Sequence, residues 1–184
     1  MNGGIRYHNR LRWLQYRILV KNLHTNDILS RYRRDVQNFC SFCTRERETI
    51  SHLFYNCNIV REFYTTLSNL LLQLGLYFEI NIKKCLFGNT NTKNDSFENL
   101  LLLYCKGYIW CCKYRNTLPT LAGFKLYVCQ YLKTLQVIYT IQSRSDNFVL
   151  TWGILYGHLV AGAELPDTQP PPGPNLPVQD GAQD

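Results

Sequence analysis

The sequence CSFCTRERETISHLFYNC, residues 40–57, is the most informative segment of this chain. Cys40 and Cys43 are separated by two residues, so a tight turn can direct both thiolates at one ion. His52 and Cys57 follow within the same eighteen residues. Three sulfurs and one imidazole are the ligand set of a closed structural zinc site, which leaves no coordination position for a reacting water. The spacing therefore predicts that Cys40, Cys43, His52 and Cys57 bind one Zn2+ ion.

The second half of this stretch predicts a helix from Glu48 to Asn56, with apolar residues at helical spacing. His52 and Cys57 are five residues apart. On an ideal helix such positions point about 140° away from each other and lie about 7.5 Å apart along the axis. Both can bind one ion only if the helix ends before Cys57. We therefore expect it to end near Asn56, closed by a left-handed conformation at Asn56 or Asn58.

Two other interpretations of these cysteines stay open at this point. Cysteine often behaves as a small buried hydrophobe, so all three could belong to an ordinary core. Disulfides are the second alternative, but the first ten residues contain no apolar signal-peptide core. We expect an intracellular protein, in the nucleus or cytoplasm, where reducing conditions favour metal over disulfide. The spacing favours zinc over both alternatives.

Positive charge is concentrated before and within this stretch. The chain has 184 residues and a formal net charge of +7; residues 1–47 contribute +7, residues 48–163 contribute +4 and residues 164–184 contribute −4. A zinc ion with three thiolates has a formal charge of about −1, which the nearby arginines more than balance. The excess predicts a surface for nucleic-acid phosphates. The predicted contacts are Arg12, Arg17, Lys21, Arg31, Arg33, Arg34, Arg45 and Arg47.

The remaining pattern predicts a mainly α fold, in which a small helical domain carries one Cys3His zinc knuckle. Helices are predicted at residues 9–22, after a cap at Thr25, at 59–75, at 97–114 and at 119–142, from apolar residues at helical spacing. The helix at 97–114 is apolar around most of its circumference, which is typical of a buried central helix. Residues 77–82 alternate weakly and predict a short strand. Cys105, Cys111 and Cys112 have no histidine or acid spaced to join them, so we expect them in the core.

The first predicted helix allows two interpretations. Arg10, Arg17 and Lys21 share one face, and Trp13 and Tyr16 lie beside the buried stripe. The pattern fits a solvated face, with arginine stems covering aromatic core residues. It also fits a phosphate-binding face, because nucleic-acid surfaces interleave basic and aromatic side chains.

The chain divides into three segments. Residues 9–142 are the predicted helical domain, with the knuckle at 40–57; residues 143–163 are an apolar segment without a predicted structure; residues 164–184 are a predicted disordered, proline-rich tail. The apolar run at 148–163 is shorter than the ~20 residues needed to cross a bilayer. We therefore expect no membrane partner.

Several segments resemble the zinc-binding region that follows the polymerase core in reverse transcriptases of LINE-type, non-LTR retrotransposons. The most specific is ETISHLFYNC at 48–57, and the others are RWLQYRIL at 12–19, LHTNDIL at 23–29, CSFC at 40–43, CLFGN at 85–89 and NLLLLYCKGYIWCCK at 99–113. The similarity covers about residues 10–140. It implies a fragment from the C-terminal region of such a polyprotein, whose zinc segment holds RNA or target DNA.

The sequence contains no sign of an enzyme. No pair of adjacent aspartates follows a strand to hold catalytic metal ions, and no glycine-rich lysine loop is present for phosphates. We predict a non-catalytic, zinc-binding domain that binds RNA or DNA. The alternative is a structural or protein-interaction module, whose helices pack on a reverse-transcriptase core supplied in trans. A decayed retrotransposon element without activity is the third interpretation.

Overall fold

A computed structural model describes residues 3–89 and 96–161, and these residues are mainly helical, as the sequence predicts. The helices are α1 (Gly3–Leu19), α2 (Asn26–Leu29), a π-helical turn (His52–Asn56), α3 (Asn58–Gln73), α4 (Ile82–Phe87), α5 (Ser96–Arg115), α6 (Leu121–Ile141) and α7 (Ser145–Ala161). The described residues contain no strand, and one isolated antiparallel bridge pairs Phe39 with Arg47. The predicted disordered tail, residues 164–184, lies outside the described residues.

Helix α1 packs on the rest of the fold through Leu11, Leu14 and Ile18, which follow helical spacing and are buried. It begins earlier than predicted and ends at Leu19 instead of residue 22. The helix ends there because Lys21 adopts a left-handed conformation with φ of 56°. Leu19, the last residue of the helix, is half exposed.

Helix α5 is the centre of the core, as its apolar circumference predicts. It contacts α1, α6 and the π-helical turn. Two of its three predicted core cysteines, Cys105 and Cys112, are buried, and Cys111 is partly buried. Its other buried apolar side chains are Leu101, Leu102, Tyr104, Tyr108, Ile109 and Trp110.

Helix α3 follows the zinc-binding stretch directly and ends before Gly75, whose φ of 74° is the left-handed conformation that glycine commonly adopts after a helix. Its buried stripe faces α5 and α6. The Phe63 ring lies 5.7 Å from Tyr108 and 5.5 Å from Phe124, measured between ring centroids. This aromatic cluster ties the zinc-binding half of the chain to the later helices.

The predicted strand at residues 77–82 is wrong. Residues 76–81 have no regular structure, and the short helix α4 begins at Ile82. Asn81 caps α4, because its side-chain oxygen accepts a hydrogen bond of 2.9 Å from the Lys84 amide. Cys85 is fully buried, and its thiol donates to the carbonyl of Phe54 at 3.3 Å. The contact of α4 with the π-helical turn therefore outweighs the weak alternation of apolar and polar residues that predicted a strand.

Helices α6 and α7 form the most extensive helix pair. Helix α6 begins two residues after Pro119, because Thr120 is the N-cap and its hydroxyl accepts from the Gly123 amide at 3.1 Å. The apolar segment whose structure the sequence left open is α7. It joins the hydrophobic core through Phe148, Trp152, Leu155 and Leu159. No helix among the described residues is long and apolar enough to cross a membrane.

A buried ion pair fixes the zinc-binding stretch against α5. Glu48 is fully buried and lies outside any helix, although the sequence predicts it at a helix start. Its carboxylate accepts hydrogen bonds from the Asn26 amide (2.7 Å), from the Ser41 amide (2.7 Å) and hydroxyl (2.6 Å), and from Lys113 Nζ (2.5 Å). Lys113 also donates to the Asn26 side-chain oxygen at 2.7 Å and to the Ser41 hydroxyl at 3.1 Å. Both buried charges are thus fully hydrogen-bonded.

Replacing Lys113 with methionine should lower the free energy of unfolding by roughly 3–5 kcal/mol, because the Glu48 carboxylate would keep its charge without a counterion. Urea unfolding of the zinc-loaded protein measures this. The matched control is Lys133→Met, at an exposed position on α6, which should change the value by about 0.5 kcal/mol or less. Combining Lys113→Met with Glu48→Gln should restore part of the loss. Equal stability of Lys113→Met and the parent chain would contradict the structural role of this pair.

Candidate metal centre

A tight turn directs the first two cysteines to the same side. Cys40 and Cys43 stand at its ends, and it is closed by a hydrogen bond of 2.9 Å from the Thr44 amide to the Cys40 carbonyl. Thr44 adopts a left-handed conformation with φ of 54°, which returns the chain toward Glu46. The Cys40 amide then donates to the Glu46 carbonyl at 2.7 Å. The amide of Phe42 points at the Cys40 sulfur from 3.4 Å, so the backbone already offers this ligand a hydrogen bond.

A π-helical turn directs His52 and Cys57 to the same ion. The Cys57 amide donates to the His52 carbonyl at 2.9 Å, a bond across five residues instead of the four of an α-helix. This wider turn brings the two residues toward one side, where an α-helix would separate them by about 140°. The predicted end of the helix at Asn56 is confirmed.

The predicted left-handed closure at Asn56 or Asn58 is wrong. Cys57 has φ of −59° and ψ of 129°, so the chain leaves the turn in an extended conformation, and α3 begins at the next residue. The wider helical turn already realigns His52 with Cys57, so no reversal of the chain is required.

The four predicted ligands converge. The Cys40 and Cys57 sulfurs are 3.9 Å apart, Cys43 Sγ is 3.4 Å from His52 Nε2, and the ligand atoms all lie within 4.8 Å of one another. A tetrahedral ion with Zn–S bonds of about 2.3 Å and Zn–N bonds of about 2.0–2.1 Å needs sulfurs about 3.8 Å apart and sulfur–nitrogen separations of about 3.6 Å. The observed distances fit zinc. Cys43 is partly exposed and the other three ligands are buried.

Without metal, the Cys40 thiol donates a hydrogen bond to the Cys57 sulfur, 3.9 Å away. The pKa of Cys57 is lowered, first because the Cys40 thiol donates to its sulfur and further because the Ile59 and Val60 amides at the start of α3 face it. The pKa of Cys40 is raised by that same hydrogen bond and by burial. Of these two cysteines, Cys57 is the one whose surroundings favour the thiolate that a metal ligand requires.

Glu46 orients the histidine ligand. Its carboxylate lies 3.2 Å from His52 Nδ1, which leaves Nε2 facing the sulfurs. A carboxylate behind a zinc-bound histidine fixes its tautomer and ring orientation. Glu46 is not among the site residues that the sequence predicts, because its approach to His52 depends on the knuckle turn and the bridge from Phe39 to Arg47, which no spacing rule specifies.

The structure brings two of the predicted phosphate contacts together around one acid. Arg31 lies 3.1 Å from Asp27, and Arg47 pairs with the other oxygen of the same carboxylate. Arg33 pairs with Asp35 at 2.6 Å, which lowers the pKa of that carboxyl through the hydrogen bond from the guanidinium. These three arginines are exposed but partly neutralised by their acidic partners.

The other predicted contacts carry less compensated charge. Arg17 is partly buried, and its Nε donates a hydrogen bond of 3.0 Å to the Asn22 carbonyl. Because a carbonyl is neutral, this hydrogen bond does not compensate the positive charge of Arg17. Among the residues that the structure describes, no acid forms an ion pair with Arg12, Lys21, Arg34 or Arg45, and all four are exposed.

Purified chain should contain one zinc ion, and Cys43→Ser should lose it. Cys43 is the suitable position because, as the most exposed ligand, it contributes least to packing. Metal analysis after gel filtration gives the stoichiometry. Chelation should also unfold the knuckle, since structural zinc contributes about 10–16 kcal/mol in small peptides, and circular dichroism records the loss. The control Cys111→Ser should retain the ion, and a parent chain without stoichiometric zinc would contradict the assignment.

Glu46→Ala should weaken zinc binding about tenfold, the low end of the range for such supporting carboxylates, because Glu46 is largely exposed. Competition with a chromophoric chelator measures the dissociation constant. Glu79→Ala, another exposed carboxylate outside the knuckle, is the control and should bind zinc as the parent does. An unchanged constant for Glu46→Ala would show that His52 needs no carboxylate to hold its orientation.

The comparison with known families agrees with this centre. Residues 5–64 match the family model described as zinc-binding in reverse transcriptase, and they include all four ligands. No curated protein and no solved structure matches the chain significantly. The match spans about a third of the chain and covers the zinc-binding region, not a polymerase catalytic region. Residues 5–64 are therefore similar to the zinc-binding part of reverse transcriptases.

Proposed function

We propose that this chain is a non-catalytic zinc-binding domain, derived from a LINE-type, non-LTR reverse transcriptase, that binds RNA or target DNA. The observation that carries the proposal is the arrangement of the knuckle. Its sulfurs and imidazole face inward, while Arg45 and Arg47 on the same loop are exposed. A nucleic-acid backbone would lie along these arginines, and the protein would act inside the cell.

Asp27 supports this interface by holding two arginines side by side. Because it pairs with both Arg31 and Arg47, one buried carboxylate positions two guanidinium groups and leaves a net positive charge. Two guanidinium groups fixed beside each other lose less conformational freedom when they bind phosphates. Arg34 and Arg45 add charge without a competing acid among the described residues.

The metal has a structural role in this proposal. Four protein ligands fill a tetrahedral zinc site, so no position is left for water or substrate. When bound, zinc would hold the arginine-bearing loop in one shape. The side chains of this domain would then bind the nucleic acid. In retrotransposition, the domain would hold that nucleic acid for a separate polymerase domain.

A second candidate function is favoured by a different observation. Among the described residues, helices α6 and α7 together expose six large apolar side chains. These residues suit packing against a reverse-transcriptase core supplied in trans, as a structural or protein-interaction module. They are Leu126, Val137, Ile141, Val149, Leu150 and Ile154.

The nucleic-acid proposal predicts a change in salt dependence. The double variant Arg34→Gln with Arg45→Gln should bind more weakly, and the slope of log affinity against log salt should fall by about 0.9 per lost duplex phosphate contact, or about 0.7 on a single strand. Fluorescence anisotropy with a labelled oligonucleotide at several salt concentrations measures both values. Neither arginine has an ion-pair partner among the described residues, so the fold should persist.

The matched control removes the same charge elsewhere. Lys133→Gln with Arg144→Gln changes two exposed cations, on α6 and just before α7, and should leave the slope near the parent value. If both double variants lower the slope equally, binding depends on net charge and not on the knuckle. Oligomers that ignore nucleic acid would favour the protein-interaction candidate.

A further inference from the structure

Helix α1 presents two stacked aromatic rings to solvent. Trp13 and Tyr16 are 53% and 52% exposed, and their ring centroids lie 5.2 Å apart with 20° between the ring planes. The other two tryptophans, Trp110 and Trp152, are buried. The core therefore does not account for the position of Trp13 and Tyr16, since large aromatic side chains are normally placed where they bury area.

The two rings stand on the side of α1 that faces away from the core. The helix packs through Leu11, Leu14 and Ile18, and at 3.6 residues per turn Trp13 and Tyr16 project in the opposite direction. The interpretation of these rings as core residues under arginine stems is therefore wrong. They form a stacked pair of rings, 20° from parallel, and each ring is about half exposed.

Positive charge flanks this pair of rings on both sides. Residues 9–25 contain no acid. Arg10 and Arg17, seven residues apart, lie along one flank of the two rings, and Arg12 lies along the other, by the same helical geometry. Tyr114 of α5 is partly exposed and within electrostatic reach of Arg17. Exposed ring faces between cations complement a ligand that carries both flat rings and negative charge.

We propose that Trp13 and Tyr16 are a stacking platform for unpaired bases of a single-stranded RNA or DNA, whose phosphates lie against Arg12 and Arg17. This inference rests on the proposed nucleic-acid function and specifies the substrate as single-stranded. Aromatic side chains stack on splayed bases of single strands, and this contact tolerates any base sequence. Bases in a duplex stack on each other, and their faces are not available to a protein surface.

The test compares a single strand with a duplex of the same sequence. Zinc-loaded full chain is titrated into a fluorescein-labelled 12-nucleotide RNA, alone or annealed to its complement. Trp13→Ala and Tyr16→Ala should each weaken single-strand binding about tenfold or more, because each removes a stacking contact. Duplex binding should change less than about twofold, and the salt slope should stay at the parent value because no phosphate contact is lost.

Two further measurements separate stacking from a loss of structure. Trp13→Phe keeps an aromatic face and should restore most of the single-strand affinity. Single-stranded RNA should quench the tryptophan emission of the parent chain and not that of Trp13→Ala, because Trp110 and Trp152 are buried. The matched control is Tyr77→Ala, which removes an exposed ring between α3 and α4 and should bind as the parent does.

The outcomes separate the stacking proposal from the proposed nucleic-acid function on which it rests. If the parent chain binds RNA and both alanine variants bind single strands as tightly as the parent does, the proposed stacking platform is ruled out. The proposed nucleic-acid function is then unaffected. If the variants lose single-strand and duplex affinity equally, the restriction to unpaired bases is wrong. If the parent chain binds neither form at any salt concentration, the proposed function fails as well.

Discussion

The buried carboxylate of Glu48 is the constraint on which the placement of the metal centre depends. A charge removed from water must be matched by donors, and this one is matched by two backbone amides, a hydroxyl and the ammonium of Lys113. Those donors come from the start of α2, from the knuckle at Ser41 and from α5. Zinc can organise four ligands locally, but the carboxylate determines how the knuckle sits on the helices.

Two short backbone turns position the four ligands of the metal centre. The turn after Cys40 directs two thiolates to one side, and the π-helical turn corrects the misalignment of His52 and Cys57. Cys57 then stands at the start of α3, where the hydrogen bond from Cys40, and after it the backbone amides of α3, lower the pKa of its thiol. The same residue thus ends one element, begins the next and binds the ion, so the metal centre and the core are built on one continuous backbone.

The inward and outward faces of the zinc-binding half have different chemistry. Buried positions carry sulfur, imidazole and apolar side chains, whereas arginines occupy the surface of the knuckle. Helix α1 repeats this division, because its inner stripe fills the core while Trp13 and Tyr16 remain in solvent. Guanidinium groups and exposed rings need a rigid support to act as a binding surface, and the core beneath them provides it.

The zinc ligands and the central helix are predictable from the sequence alone. Cysteine and histidine are chemically distinctive, their spacing is local, and the apolar circumference of α5 can be read without knowing its neighbours. The pairing of Glu48 with Lys113, sixty-five residues away, and the contact of Glu46 with His52 depend on how the chain folds and follow from no local pattern. Residues 77–81 of the predicted strand have no regular structure, α4 begins only at Ile82, and Trp13 lies at the surface. Hydrophobic periodicity predicts local secondary structure. The partners of a buried charge or an exposed aromatic ring are distant in sequence, so their contacts form only when the chain folds.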